Sequence, residues 1–220
     1  ANEPYFRDTE QKFYTLLGEF MLPNMVETEL YKTELANMSL YGYGIKAFML
    51  SMIETALKIG GADLSPAVLA KIIKLGREQL QKPVVLIDGA EKTLKYLKLK
   101  YRLILVTKGD LLDQERKLNM SGLMQYFHHI EIMSDKRDAD YRDLLKRIEV
   151  KPAEFLMVGN SLKSDILPVL TIGGNAVHIP FHTTWEHEKI DPVHLKEYHY
   201  EKAESLTEML RFFKMAATAN

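Results

Sequence analysis

Three apolar runs in this sequence each lead into a side chain able to do chemistry. Tyr101-Arg-Leu-Ile-Leu-Val106 runs into Thr107, and His128-His-Ile-Glu-Ile-Met133 precedes Ser134-Asp-Lys136. Phe155-Leu-Met-Val158 runs into Gly-Asn-Ser, with Asn160 followed five residues later by Asp165. An apolar run without polar alternation reads as a strand buried on both faces, as in a parallel α/β sheet. In such sheets ligands sit just beyond the carboxyl ends of the strands. Asn160 and Asp165 would then offer two oxygen donors at that edge, a pair that suits a hard cation such as Mg²⁺. The same residues also suit an ordinary strand-to-helix turn, with Ser161 or Asn160 as N-cap and Asp165 as a first-turn charge.

The order of the three ends bears on that choice. In a parallel sheet all three lie on one edge. A hydroxyl with neighbouring backbone N–H groups, an ammonium and a cation-binding pair together describe a phosphate site. Hydroxyl and amides grip the non-bridging oxygens, the ammonium offsets charge, and the cation shields the rest. Taken singly, Thr107 reads as a turn hydroxyl and Lys136 as a solvated surface charge. Lys108 could stand in for either role, and alone it too reads as a surface charge.

Composition narrows the class. The chain has 220 residues, 46% of them hydrophobic, and a formal net charge of -1. That is enough for one large domain or two small ones, and the near-neutral balance argues against a nucleic-acid surface. With no cysteine, a disulfide framework and a thiolate metal site are both excluded. No stretch approaches the ~18 consecutive apolar residues of a membrane helix. The opening Ala1-Asn-Glu-Pro-Tyr-Phe-Arg lacks the basic-then-apolar layout of a signal peptide, so a soluble cytoplasmic protein is expected. The seven histidines do not form the helical pair with a nearby general base that a zinc hydrolase needs.

The elements that must position these groups follow from periodicity. Residues 1–81 read as an all-helical block. Pro4 opens a helix carrying Phe6, Phe13, Leu16, Leu17 and Phe20, which Pro23 closes. A second helix from near Met25 has Leu30, Leu35 and Met38 as its inner face. Leu40-Tyr-Gly-Tyr-Gly44 then leads into an apolar helix from Ile45 to Ile59, ended by Gly60-Gly61. Ser65-Pro66 starts another, with Ser65 as N-cap. Residues 82–220 alternate strand and helix patterns, which implies βαβ units and a parallel sheet. Within them Asp88-Gly89 opens a helix to Lys100, Ala139 to Ile148 forms another, and Gly173 to Ile179 forms a further strand.

Leu105-Val-Thr107-Lys-Gly, Ser134-Asp-Lys136 and Val158-Gly-Asn-Ser-Leu-Lys-Ser-Asp165-Ile, in that order, resemble motifs two, three and four of the haloacid dehalogenase-like hydrolase superfamily. The helical block resembles its C1 cap, and Pro180-Phe-His-Thr-Thr-Trp185-Glu-His-Glu the segment after its fifth strand. The resemblance implies a three-layer Rossmann-like α/β core of residues 82–220 with a helical cap of residues 1–81. It implies Mg²⁺-dependent phosphoryl transfer through an aspartyl-phosphate. Thr107 would hold the phosphoryl oxygens, Lys136 would pair with nucleophile and phosphate, and Asn160 and Asp165 would bind or orient the metal. Lys108 and Gly109, with Tyr41 and Tyr43 of the cap, are the candidate substrate contacts. The two tyrosines could equally pack between cap helices, and Trp185 beside His182 and Glu186 would bury the chain's return across the core.

Two departures accompany the resemblance. Asn160 stands where a carboxylate is commoner, which shifts metal binding toward Asp165. The family's first motif, a buried strand ending Asp-x-Asp-x-Thr, belongs immediately before the cap, so it is expected upstream of Ala1. Asp138-Ala-Asp140 matches by letters but follows Ser-Asp-Lys-Arg, and Asp88 reads as a helix N-cap. That strand is central in the family's sheet, so its two neighbours are expected to lack a backbone partner without it. The expected activity is a phosphatase acting on a small phosphorylated metabolite, a sugar phosphate or nucleotide, with neither nucleic acid nor membrane as partner. The alternatives are a phosphomutase, a haloacid dehalogenase, or an inactive phosphate-binding module.

Overall fold

The computed structural model describes residues 3–181, 190 and 197–215. Helices α1 (Glu3–Leu16), α2 (Pro23–Tyr41), α3 (Ile45–Gly60), α4 (Pro66–Leu80) and α5 (Ala90–Lys98) come first. Then β1 (Ile104–Lys108), α6 (Leu111–Ser121), β2 (His129–Met133), α7 (Asp138–Arg147) and β3 (Leu156–Gly159) alternate. After a π-turn at Leu162–Ile166 come α8 (Leu167–Thr171), β4 (Asn175–His178), β5 (Glu201–Lys202) and α9 (Leu210–Met215). The chain is a mixed α/β protein with parallel strand pairs. Contacts divide it into two units: residues 1–85 with 107–122, and residues 86–106 with 123–220.

The first unit is built from helices whose ends are written locally. Pro23 and Pro66 sit in the first turns of α2 and α4, where a missing N–H breaks no helical bond. Ser65 makes no side-chain cap, so the proline alone marks that start. At the far end of α2 Gly42 adopts φ 69°, a conformation open to glycine, and its N–H returns to the Met38 carbonyl. One core cluster joins Phe13 and Leu17 of α1, Val26 and Leu30 of α2, Phe48, Met52 and Ala56 of α3, and Val68 and Ile72 of α4. Each large apolar side chain so buried contributes on the order of 1.5–3 kcal/mol.

The inner face of α2 differs from the expected one. Leu35 is 54% exposed, and Met38 is half-buried. Leu30 is buried as expected, and Val26 and Asn37 hold the rest of the inward stripe. Asn37 is accommodated because its Nδ2 donates to Ser51 Oγ at 3.2 Å and to Glu54 Oε2 at 2.9 Å. The bundle interior turns polar toward that end, so an apolar period alone misassigns it.

In the second unit β3 and β4 pair in parallel from Leu156↔Asn175 to Gly159↔His178, and β4 pairs in parallel with β5. The side chains of β3 alternate. Met157 packs with Tyr141, Leu145, Phe155, Val169 and Ile172, while Val158 packs with Leu97, Val177, Ala203 and Met209. Both faces are therefore covered at those two residues, but Leu156 at the strand's start is 37% exposed, unlike the fully buried run expected. The N-cap of α5 is Gly89 rather than Asp88.

The strands form two sheets rather than one, β1 beside β2 and the triplet β3-β4-β5. Leu103, just before β1, nevertheless packs into the cluster that holds Val158, and Val106 packs against the cluster that holds Met157. β1 and β3 thus line common apolar clusters while each has a single ladder partner among the described residues. Trp185, His182 and Glu186 lie outside the described residues. No helix among the described residues is long and apolar enough to cross a membrane.

Burial, reinforced by the charge of Glu10, pushes the Glu34 carboxyl up to about 8. The folded state then keeps a proton that the unfolded state releases near the ordinary value of 4.5. Stability from this group is full below that value, falls as pH rises toward about 8, and is level above. Thermal melting of the wild type is predicted to fall between about pH 5 and about pH 8 more steeply than that of Glu34→Gln. Parallel curves for the two proteins would contradict it.

Candidate active site

The centre of the site is the turn that follows β3. Ser161 N–H donates to Asp165 Oδ2 at 3.0 Å, and Ser161 Oγ accepts from Ser164 N–H at 2.9 Å. The turn is thereby closed from both ends, side chain to backbone, in the manner of a capping box. Asp165 N–H and Ile166 N–H both return to the Ser161 carbonyl, which draws the backbone into a π-turn. Tyr141, fully buried on α7, donates its hydroxyl to the Ser164 carbonyl at 3.0 Å and ties the turn to the core.

Glycine at 159 is required by proximity. A Cβ there would lie 2.3 Å from Asp165 Oδ2 and 2.4 Å from its Cβ and Cγ. Asp165 is folded back against the end of its own strand, and only a residue without a side chain permits that.

Lys136 arrives from the end of β2. Its Nζ donates to Asp165 Oδ1 at 2.8 Å, and the two side chains are 10% and 6% exposed. Lys136 N–H is taken by Asp135 Oδ1 at 2.8 Å, and Arg137 N–H by Asp140 Oδ2 at 2.8 Å, which starts α7. Asp140 therefore serves as a helix cap. A buried pair of this kind is sensitive to loss of one partner, which leaves an uncompensated charge and costs about 3–5 kcal/mol.

A group that sequence reasoning missed completes the turn. His178, the last residue of β4, stands opposite Gly159 in the parallel register. Its Nε2 lies 3.1 Å from the Asn160 carbonyl, which can only accept, so Nε2 carries the hydrogen. Its ring packs edge-on against Tyr200, with centroids 6.4 Å apart. Burial lowers the pKa of His178, opposed in part by the bond to Asn160. The signal available in sequence was only a histidine closing a strand, with nothing to say what it meets.

The structure thus brings together Lys136, Asp165 and the Asn160 backbone, with the Asn160 side chain exposed beside them. The remaining candidates fall in the first unit. Thr107 Oγ1 donates to Gln114 Oε1 at 3.2 Å. Lys108 Nζ lies 4.1 Å from the centroid of the Tyr43 ring, a cation–π contact, and Gly109 is close to the amide of Gln114. Lys46, next to the glycine loop, pairs with Asp110 at 3.0 Å. Tyr41 donates its hydroxyl to Glu54 Oε1 at 2.7 Å.

As donors for a cation, Asn160 and Asp165 fit in kind. Among the described residues each carboxylate oxygen of Asp165 has one protein partner and a lone pair left, and the amide oxygen of Asn160 is a hard donor. In number they form part of a coordination shell. No cluster of three or more His, Cys, Asp or Glu side chains able to hold a metal exists among the described residues.

A family model for haloacid dehalogenase-like hydrolases matches residues 14–169. The chain is a haloacid dehalogenase-like hydrolase. The match spans both the helical block and the turn that holds Asp165. A haloacid dehalogenase-like family hydrolase from Xanthomonas campestris is 31% identical in sequence, with a TM-score of 0.85. The alignment covers 98% of this chain and 85% of that one. A HAD phosphatase from Thermococcus onnurineus shares the fold, with a TM-score of 0.61 and 19% identity over 97% of this chain and 92% of its own. The glyceraldehyde 3-phosphate phosphatase of Pyrococcus furiosus is 32% identical over 97 residues, 41% of this chain. The matched stretch spans 40% of that relative's length.

Gly159→Ala is predicted to push Asp165 off Ser161 N–H and Lys136. Overpacking of this kind costs about 1–3 kcal/mol. Thermal denaturation should show a loss of several degrees, about 2–4 °C per kcal/mol for a chain of this size. An unchanged melting temperature would mean that the backbone yields and the close approach is dispensable.

Proposed function

We propose that this hydrolase is a Mg²⁺-dependent phosphatase acting on a small phosphate monoester, a sugar phosphate or a nucleotide. The observation that carries the reading is the Lys136 ammonium bonded to a buried Asp165 carboxylate, at the ends of two strands and within one turn of Asn160. A cation held by an acid at a strand end is suited to a dianionic phosphoryl group, because the carboxylate orients the ammonium without consuming all three of its hydrogens. The phosphatase from Pyrococcus furiosus supports the reaction class. The near-neutral charge, formally -1, favours a small metabolite over nucleic acid as partner.

In this reading Asp165 holds Lys136 in place, and Lys136 stabilises the charge that spreads over the phosphoryl oxygens as the ester bond breaks. By resemblance to the family, Thr107 and the following backbone N–H groups would hold phosphoryl oxygens. Lys108, Gly109 and the cap tyrosines Tyr41 and Tyr43 meet the rest of the substrate. Asn160 and Asp165 hold the magnesium, which when bound supplies further neutralisation of phosphoryl charge. The attacking carboxylate would be the first Asp of the family's Asp-x-Asp motif. The carboxylate forms the new P–O bond, the ester P–O bond breaks, and the second Asp protonates the departing alkoxide. Water then hydrolyses the aspartyl-phosphate.

The test is phosphate release by the full-length protein from a panel of monoesters. Lys136→Ala is predicted to lower turnover by at least about 10²-fold, as for a preorganised charge-stabilising group. A smaller loss would move that role to Lys108. No turnover by the intact protein on any monoester, with or without Mg²⁺, would overturn the reading in favour of a phosphate-binding module.

A further inference from the structure

One peptide plane in the site is held at both of its polar ends. The Asn160 carbonyl accepts from His178 Nε2 at 3.1 Å, and the N–H of the same peptide, on Ser161, donates to Asp165 Oδ2 at 3.0 Å. Asp165 in turn receives Lys136 on its other oxygen. A donor on the carbonyl side of a peptide polarises its N–H, so bonds arranged head to tail strengthen one another. The His178 ring is fixed independently of this plane. Ile179 N–H bonds to the Gly159 carbonyl at 2.9 Å, Ala203 N–H bonds to the His178 carbonyl at 3.1 Å, and Tyr200 meets the ring edge-on.

We propose that His178 is a positioning residue for the magnesium site, acting through the Asn160–Ser161 peptide on the two metal-facing side chains. The inference rests on the proposed roles of Asn160 and Asp165. The peptide sets the direction in which the Asn160 side chain leaves the backbone, and its N–H sets the rotation of the Asp165 carboxylate. Removing the His178 donor leaves the plane held from one side only. The peptide can then rock about its N–H bond, and the two oxygen donors lose their fixed separation. Strand pairing does not depend on the ring, because the β3–β4 ladder bonds are made by backbone.

The discriminating substitutions are His178→Phe, which keeps a ring against Tyr200 but has no N–H, and His178→Gln, whose amide nitrogen can reach the place of Nε2. Mg²⁺ binding to the full-length protein is measured by titration calorimetry, alongside thermal melting without metal. The expected result is a dissociation constant raised about 10-fold or more in His178→Phe, as for other outer-shell partners of metal ligands, and largely restored in His178→Gln. Melting without metal should be similar for the two. If His178→Phe does not fold, His178→Met takes its place with the same expectation. Equal Mg²⁺ affinity in the wild type and the variant lacking the donor would overturn the positioning role while leaving the phosphatase reading intact. Equal weakening in the Gln and Phe variants would also overturn it, by showing an effect of packing. A wild type that binds no Mg²⁺ would overturn the reading of Asn160 and Asp165, and this inference with it.

Discussion

A buried carboxylate is tolerable only where its charge is answered, and the site depends on how Asp165 meets that condition. One oxygen takes the Lys136 ammonium and the other takes the Ser161 N–H. Each contact constrains a different part of the chain. The ammonium fixes the end of β2 relative to the turn after β3, and the N–H closes that turn on itself. Gly159 has no side chain because the carboxylate lies where a Cβ would be. Tyr141 reaches from α7 to the same turn, so the apolar cluster around it also fixes the polar one.

In the proposed function one pair of strand ends serves two chemical demands. Paired and hydrogen-bonded, each side chain holds the other oriented. The remaining lone pairs and hydrogens of the pair are what a phosphoryl group or a hard cation would meet in that function. Holding such groups in place before the substrate arrives is what makes them effective, because no reorganisation is needed as charge develops.

Much of this was legible in the sequence, for a definite reason. Lys136 and Asp165 each follow an apolar strand pattern, and their side chains meet although β2 and β3 belong to separate sheets. Four helices in residues 1–81 were legible from periodicity and from Pro23 and Pro66. Leu35 was misplaced because apolar spacing was extended into a part of α2 whose inward residue is Asn37, satisfied by Ser51 and Glu54. The split into two sheets was not legible from the strands themselves, whose patterns say nothing of which edges meet. His178 was missed because its partner is a backbone carbonyl 18 positions earlier, brought opposite by parallel register. A side chain whose function lies in a backbone contact leaves no motif.

The central claim is that the ends of β2 and β3 form one cation- and phosphate-handling site around Asp165. A crystal of the full-length protein grown with Mn²⁺ in place of Mg²⁺ tests it most directly, through the anomalous signal of the metal. The account predicts a single strong peak within about 2.0–2.6 Å of an oxygen of Asp165 or Asn160, a distance proper to hard cations on oxygen ligands. A peak elsewhere, with the turn at Asp165 ordered and no metal beside it, would contradict the account.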